Sequence, residues 1–174
     1  MYVRYYVPME LILLLAVILQ SAGISLGMGG STLAISNFFV AIADGTIDPA
    51  ERKMMGVVYV VLKVALGLIF VTTAYLIGSA LTTVDLGSVA TFLFAQLLIA
   101  FVLLLNSILM TKRIVPSSLG PAIQAGSWYT LGILTTLVGM LDTKISMGLF
   151  LLWYGTAIVV AILVVNGIMR YLRK

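Results

Sequence analysis

"GISLGMGGSTLAISN", residues 23–37, lies inside the first long apolar run of the chain, yet glycine, serine and other small residues dominate it. How this stretch behaves decides the fold. If it stays helical, Gly23, Gly27 and Ser31 stand at four-residue spacing and form a small-residue face on which a second helix can pack closely. If it unwinds, its freed carbonyls and amides can hold a charged group, which a membrane tolerates only where protein or water covers them. The packing face is the simpler reading.

The surroundings are apolar along the whole chain. Of 174 residues, 62% are hydrophobic and 9% are charged, whereas soluble domains carry about 25% charged residues. Mean hydropathy is +1.20. Runs of about 20 apolar residues, enough to cross a hydrocarbon core, recur without a polar stretch large enough for a soluble domain. The expected fold class is therefore an all-α integral membrane protein, with residues 1–174 forming one transmembrane domain. Five spans are expected, at about 8–42, 50–80, 86–111, 119–140 and 145–171. Only Arg4 precedes the first run, which outlasts the roughly 7–15 residues of a secretory h-region, so a retained span is expected rather than a cleaved signal.

Local chemistry marks the turns. Asp48, Pro49 and Glu51 read as a helix cap, a first-turn proline and the distal half of a capping box. Pro116 and Pro121 bracket a loop that neither neighbouring helix can continue through. With five spans, Arg52, Lys53, Lys112, Arg113, Arg170, Arg173 and Lys174 fall on one side, opposite Arg4 and Lys144. The positive-inside rule then places the N-terminus outside and the C-terminus in the cytoplasm, with Tyr2, Tyr5 and Tyr6 at the outer interface. The net charge of +4 follows from this topology and requires no nucleic acid. The expected setting is a prokaryotic inner (plasma) membrane. Helices 1 and 2 exceed the length a bilayer needs, so they tilt, break or project as a hairpin tipped by "DGTIDPAERK".

"LLLNSILMTKR" and "LVVNGIMRYLRK" align on Asn106 and Asn166, and "LGLI" and "LGIL" hold similar places in helices 2 and 4. Helix 1 followed by two parallel helix-hairpin repeats is one reading, and chance similarity of apolar helices is the other. A four-helix core of two hairpins resembles, in architecture alone, that of membrane-bound haem cytochromes and copper-resistance membrane proteins. Their haem or metal chemistry relies on histidines. This sequence has no histidine and no cysteine, so no function carries across. Imidazole-held haem, most zinc sites and disulfides are excluded on the same ground. No cofactor and no metal site is expected.

"DGTIDPAE" matches the later positions of an EF-hand loop, but Val40 and Ile42 stand where its first and third oxygen ligands belong, so a turn and a helix cap account for it better. Lys63 is the lysine deepest within a span. An intramembrane charge costs roughly 2.5–3.5 kcal/mol at the helix centre and marks a candidate site, unless it snorkels to the interface. Counting outward from a turn near residue 46 brings Lys63 level with Gly29 and Gly30, and Asn106, Ser127, Trp128 and Tyr129 lie within a turn or two of that depth. The candidate ligand or ion pathway is thus Lys63, Gly29, Gly30, Ser31, Asn106, Ser127 and Tyr129. Glu10 reads as an interfacial carboxylate near the tyrosines, with a pore-mouth charge as the alternative, and Gln20, Gln96 and Gln124 carry the same two readings, structural or pore-lining.

Catalysis is not expected, because there is no serine or cysteine with a histidine base and the carboxylates do not converge. The leading expectation is a small oligomeric channel or transporter for an anion or small polar solute, since a lone cation among amides and hydroxyls suits an anion. The alternative is a non-catalytic accessory or structural subunit of a membrane complex, and a third possibility is lipid or hydrophobic-ligand binding in a gap between helices. Expected partners are the lipid bilayer and either further copies of the chain or other membrane subunits.

Overall fold

A computed structural model of the protein describes residues 3–43, 48–83, 86–116, 118–140 and 146–172. Its helices are α1 (Val3–Ala43), α2 (Pro49–Thr83), α3 (Leu86–Thr111), α4 (Gly120–Met140) and α5 (Met147–Leu172), and no strand occurs among the described residues. Tyr2, Lys144, Arg173, Lys174 and the loop residues Asp44, Gly45 and Ile47 lie outside them, as do the side chains of Arg4, Tyr5, Tyr6 and Ile42.

The glycine-rich stretch does not break α1, which is continuous over 41 residues. Helix α1 starts at Val3 rather than residue 8 and carries Pro8 in its second turn, where the missing N–H forfeits one bond near the helix end. The capping box that opens α2 is formed: the Glu51 amide donates to Asp48 Oδ1 at 2.7 Å, and the Asp48 amide donates to Glu51 Oε2 at 3.0 Å. These two carboxylates are therefore engaged as helix caps. Helix α5 starts at Met147 because Ser146 caps it, its Oγ accepting from the Leu149 amide at 3.3 Å.

Contacts fix the direction of each helix. Gly23 lies against Leu68 and Ala65, and Gly30 against Leu62, so α1 and α2 are antiparallel about the expected turn. Gln96 meets Thr135 and Asn106 meets Gln124, which sets α4 against α3. Ser127 meets Tyr154, which sets α5 against α4. The α1–α2 turn, the α3–α4 connection and the end of α5 consequently gather at one end of the bundle. That end carries Arg52, Lys53, Lys112, Arg113 and Arg170, and is called the basic end below.

Four helices, α1, α2, α3 and α5, are long and apolar enough to cross a membrane. Large aliphatic side chains such as Leu14, Val71, Leu152 and Leu163 point outward from them. The protein is a multi-pass helical membrane protein. Helix α4 is less apolar, with Gln124, Ser127, Thr130, Thr135 and Thr136 along it. Its position accounts for much of this composition: α4 touches α1, α3 and α5, Ser127 and Thr130 are buried, and the exposed Thr136 returns its proton to the Gly132 carbonyl. Ala122, Trp128 and Leu131 of α4 are fully buried.

Glycines let α1 and α4 approach closely, with Gly27 against Trp128 and Gly132 against Met28. A Cβ on Gly27 would fall inside the ring of Trp128, whereas one on Gly29 would meet nothing within 4 Å. Gly27→Ala is therefore expected to destabilise the protein by about 1–3 kcal/mol through overpacking, and Gly29→Ala to be neutral or stabilising by up to about 1 kcal/mol through helix propensity. Unfolding in detergent followed by circular dichroism would check the pair. Equal midpoints for the two variants would contradict the packing described.

Candidate functional site

A cavity of about 850 Å³ opens at the basic end between α1, α2, α3, α4 and the α3–α4 connection. Ser31, Ala34 and Phe38 of α1 and Leu62, Lys63 and Leu66 of α2 form two of its walls, and Ser107, Met110, Arg113 and Gln124 close the others. Small residues on α1 leave the space open, because Ser31 and Ala34 follow Gly27 on the same side of the helix. Most of the lining is apolar. Among the described residues its charged members are Lys63 and Arg113, and none is a carboxylate.

Arg113 reaches the cavity through an unusual backbone. Helix α3 ends in a Schellman turn, with the Ile114 amide donating to the Leu109 carbonyl at 2.9 Å and the Arg113 amide to the Met110 carbonyl at 3.0 Å. Such a turn requires a left-handed residue, usually glycine, and here Arg113 adopts it with φ of 56°. A non-glycine residue in that region costs on the order of 1–2 kcal/mol. In return, an arginine side chain stands on the cavity wall where glycine would leave none.

Three buried polar atoms lack a protein partner: Ser31 Oγ, Asn106 Oδ1 and Trp128 Nε1. Ser31 lines the cavity and is 1% exposed. Asn106 lies just behind, its Nδ2 donating to the Gly120 carbonyl at 2.9 Å and to Gln124 Oε1 at 3.2 Å. Trp128 is one helical turn beyond Gln124. An unmet buried polar group costs about 1–3 kcal/mol, and of these three residues Ser31 is the one that lines the cavity.

The residues singled out from sequence separate into groups. Lys63 and Ser31 share the cavity. Lys63 is exposed on the surface of α2 rather than enclosed by protein, and it shares a groove with Lys112 at the end of α3. Gly30 packs on Leu62, Gly29 faces open space, and Gly23 and Gly27 are packing positions. Ser127 turns to α5, its hydroxyl 2.8 Å from that of Tyr154. Tyr129 meets Thr32 of α1, the two hydroxyls 2.7 Å apart. Glu10 is exposed. Sequence reasoning missed Arg113 as a cavity residue and left Gln124 open between a structural and a pore-lining role; Gln124 lines the cavity. The signal for Arg113 was its place between a helix end and Pro116, where a left-handed turn residue is common.

A second polar cluster ties the other half of the bundle together. Gln20 Nε2 donates to Gln96 Oε1 at 2.8 Å and to Thr73 Oγ1 at 3.2 Å, and Gln96 Nε2 donates to Thr135 Oγ1 at 3.4 Å. The cluster thus takes one residue from each of α1, α2, α3 and α4. Gln20, Thr73 and Gln96 are buried, and the chain of amides and hydroxyls serves as an interhelical link. Among the described residues no group of acidic side chains converges as a metal site would need. Comparison with protein-family models, curated proteins and solved structures finds no match to the chain.

Membrane-protein hydrogen bonds average about 0.6 kcal/mol and reach about 1.7 in double-mutant cycles. A cycle of Gln20→Leu and Gln96→Leu is expected to return a coupling within that range, measured by unfolding in detergent. Strict additivity would show that the 2.8 Å contact contributes nothing to stability.

Proposed function

We propose that the protein is a membrane transporter or carrier for an organic anion, which it binds in the cavity at the basic end. In this reading all five helices cross the membrane, the N-terminus is outside and the cavity opens toward the cytoplasm of a prokaryotic cell. The concentration of Arg52, Lys53, Lys112, Arg113 and Arg170 at that end supports the orientation. One observation carries the ligand class: Lys63 and Arg113 line a mostly apolar cavity with no carboxylate among its described residues, and Ser31, whose hydroxyl is unpartnered, lines it too. Two cations without a counter-ion favour an anion, and the apolar remainder favours one with a hydrophobic body. A hydrogen bond to a charged group contributes about 1.5–3 kcal/mol, so a ligand that engages both cations and Ser31 gains selectivity over its neutral analogue.

Beyond the cavity the bundle is filled. Leu103, Trp128 and Leu131 are fully buried and Leu62 nearly so, which makes the cavity one-sided in this conformation. Transport would need this layer to part, or a path along the interface between copies of the chain. The same packed layer favours the second reading, an accessory subunit that binds without transporting.

Reconstituted vesicles separate the two. Uptake of a panel of benzoate, decanoate and inorganic phosphate is expected to exceed that of protein-free vesicles for at least one anion, and Lys63→Met should lower it tenfold or more while leaving the unfolding midpoint unchanged. Uptake equal to protein-free vesicles across the panel, or indifferent to Lys63→Met, would favour the accessory subunit.

A further inference from the structure

Lys63 belongs to a second concavity on the outer surface of the bundle. This groove, of about 490 Å³, runs between α2 and α3 past Leu66, Gly67, Phe70, Leu104 and Ile108 and ends at Lys112. It shares Lys63, Leu66, Ser107 and Thr111 with the cavity, so the two spaces meet along one seam and Lys63 stands at the junction. The groove has no protein cover. A Cβ on Gly67 would have nothing within 4 Å, and Ile108 is 42% exposed. In a bilayer, such a surface faces acyl chains.

Resting on the anion reading above, we propose that the cavity is loaded sideways from the membrane through the α2–α3 seam, and that its occupant is an anionic phospholipid. The acyl chain lies along Gly67, Phe70, Leu104 and Ile108, and the phosphate sits among Lys63, Lys112 and Arg113, within reach of the Ser31 hydroxyl. Three properties favour a lipid over a free anion. The groove is apolar along its length and polar only at the basic end, which matches the polarity of a lipid lying parallel to the helices. Its cations cluster at that one end, as they do where basic pockets between membrane helices hold lipid phosphates. Gly67 removes the side chain that would otherwise fill the groove midway, so a chain can lie flush against the α2 backbone. A free phosphate would find the same cations but would leave the apolar length of the groove unused.

The test uses the full chain reconstituted in phosphatidylcholine vesicles with spin-labelled phosphatidylglycerol or spin-labelled phosphatidylcholine as probe, reading the motionally restricted fraction by electron paramagnetic resonance. The expected result is at least a fivefold preference for phosphatidylglycerol, falling below twofold in Lys63→Met and in Lys112→Gln. Gly67→Leu has room for its side chain and should fold normally by circular dichroism, yet reduce the restricted fraction by half or more. Equal retention of the two lipids by the wild type, or Gly67→Leu retaining its full restricted fraction, would overturn the proposal. Added inorganic phosphate or glycerol phosphate should displace little of the bound label. Displacement at millimolar concentrations would mean a site filled from water, which overturns lateral loading and leaves the organic-anion reading standing. A lipid preference that persists in a protein without anion uptake would support the lipid site and remove the transport role alone.

Discussion

The bundle depends on the contact of Trp128 with the backbone of α1 at Gly27. An indole ring that is 0% exposed can sit there only because the opposing residue has no side chain. The contact draws α4 into the middle of the assembly, where α3 and α5 flank it, and it fixes the rotation of both helices. One turn from Gly27 toward the basic end comes Ser31, and one turn from Trp128 in the same direction comes Gln124. Both point into the space that the Trp128 ring does not reach. The cavity thus lies on the basic-end side of the Gly27–Trp128 contact, with Ser31 and Gln124 on its walls.

The bilayer then decides where polarity is allowed. Outward faces of α1, α2, α3 and α5 carry leucine, isoleucine and valine, as a hydrocarbon solvent requires, and polar side chains turn inward. Gln20, Thr73, Gln96 and Thr135 satisfy one another in the half of the bundle away from the basic end. Several threonines, Thr72 and Thr130 among them, return their protons to carbonyls one turn back along their own helices. Against this economy, the unpartnered atoms of Ser31, Asn106 and Trp128 stand out.

What the sequence made legible was geometry along the helix axes. The capping box at Asp48 and Glu51, the antiparallel register about residue 46 and the gathering of cations at one end all follow from spacing alone, and the contacts of Gly23 and Gly30 reproduce the register. Rotation about those axes was not legible. Helix α2 is apolar on every side, so nothing in its pattern tells which face Lys63 occupies, and counting gives its depth without its direction. Ser127 and Tyr129 show the same limit: their depth is near that of the cavity, but they turn toward Tyr154 and Thr32. The continuity of α1 depended on a partner across the interface, since the same glycines permit either a break or a close contact, and only Trp128 decides between them. Arg113 was hidden for another reason, because its place on the wall depends on a left-handed φ that sequence favours for glycine.

Lys63 connects these threads. Its position on the outer face of α2 means that protein does not shield it, and because helical side chains lean toward the helix N-terminus, which in α2 is the basic end, its stem can run back toward Tyr59 and keep the charge at the polar rim. A snorkelling lysine needs no counter-ion, and by itself would indicate nothing more than a boundary between oil and water. What changes the argument is company: Arg113 approaches the same space from a backbone conformation that costs free energy, and Lys112 from the helix end beside it. Like charges around one largely apolar space repel one another more strongly as the dielectric falls, and under the proposed reading an anion received there relieves that repulsion.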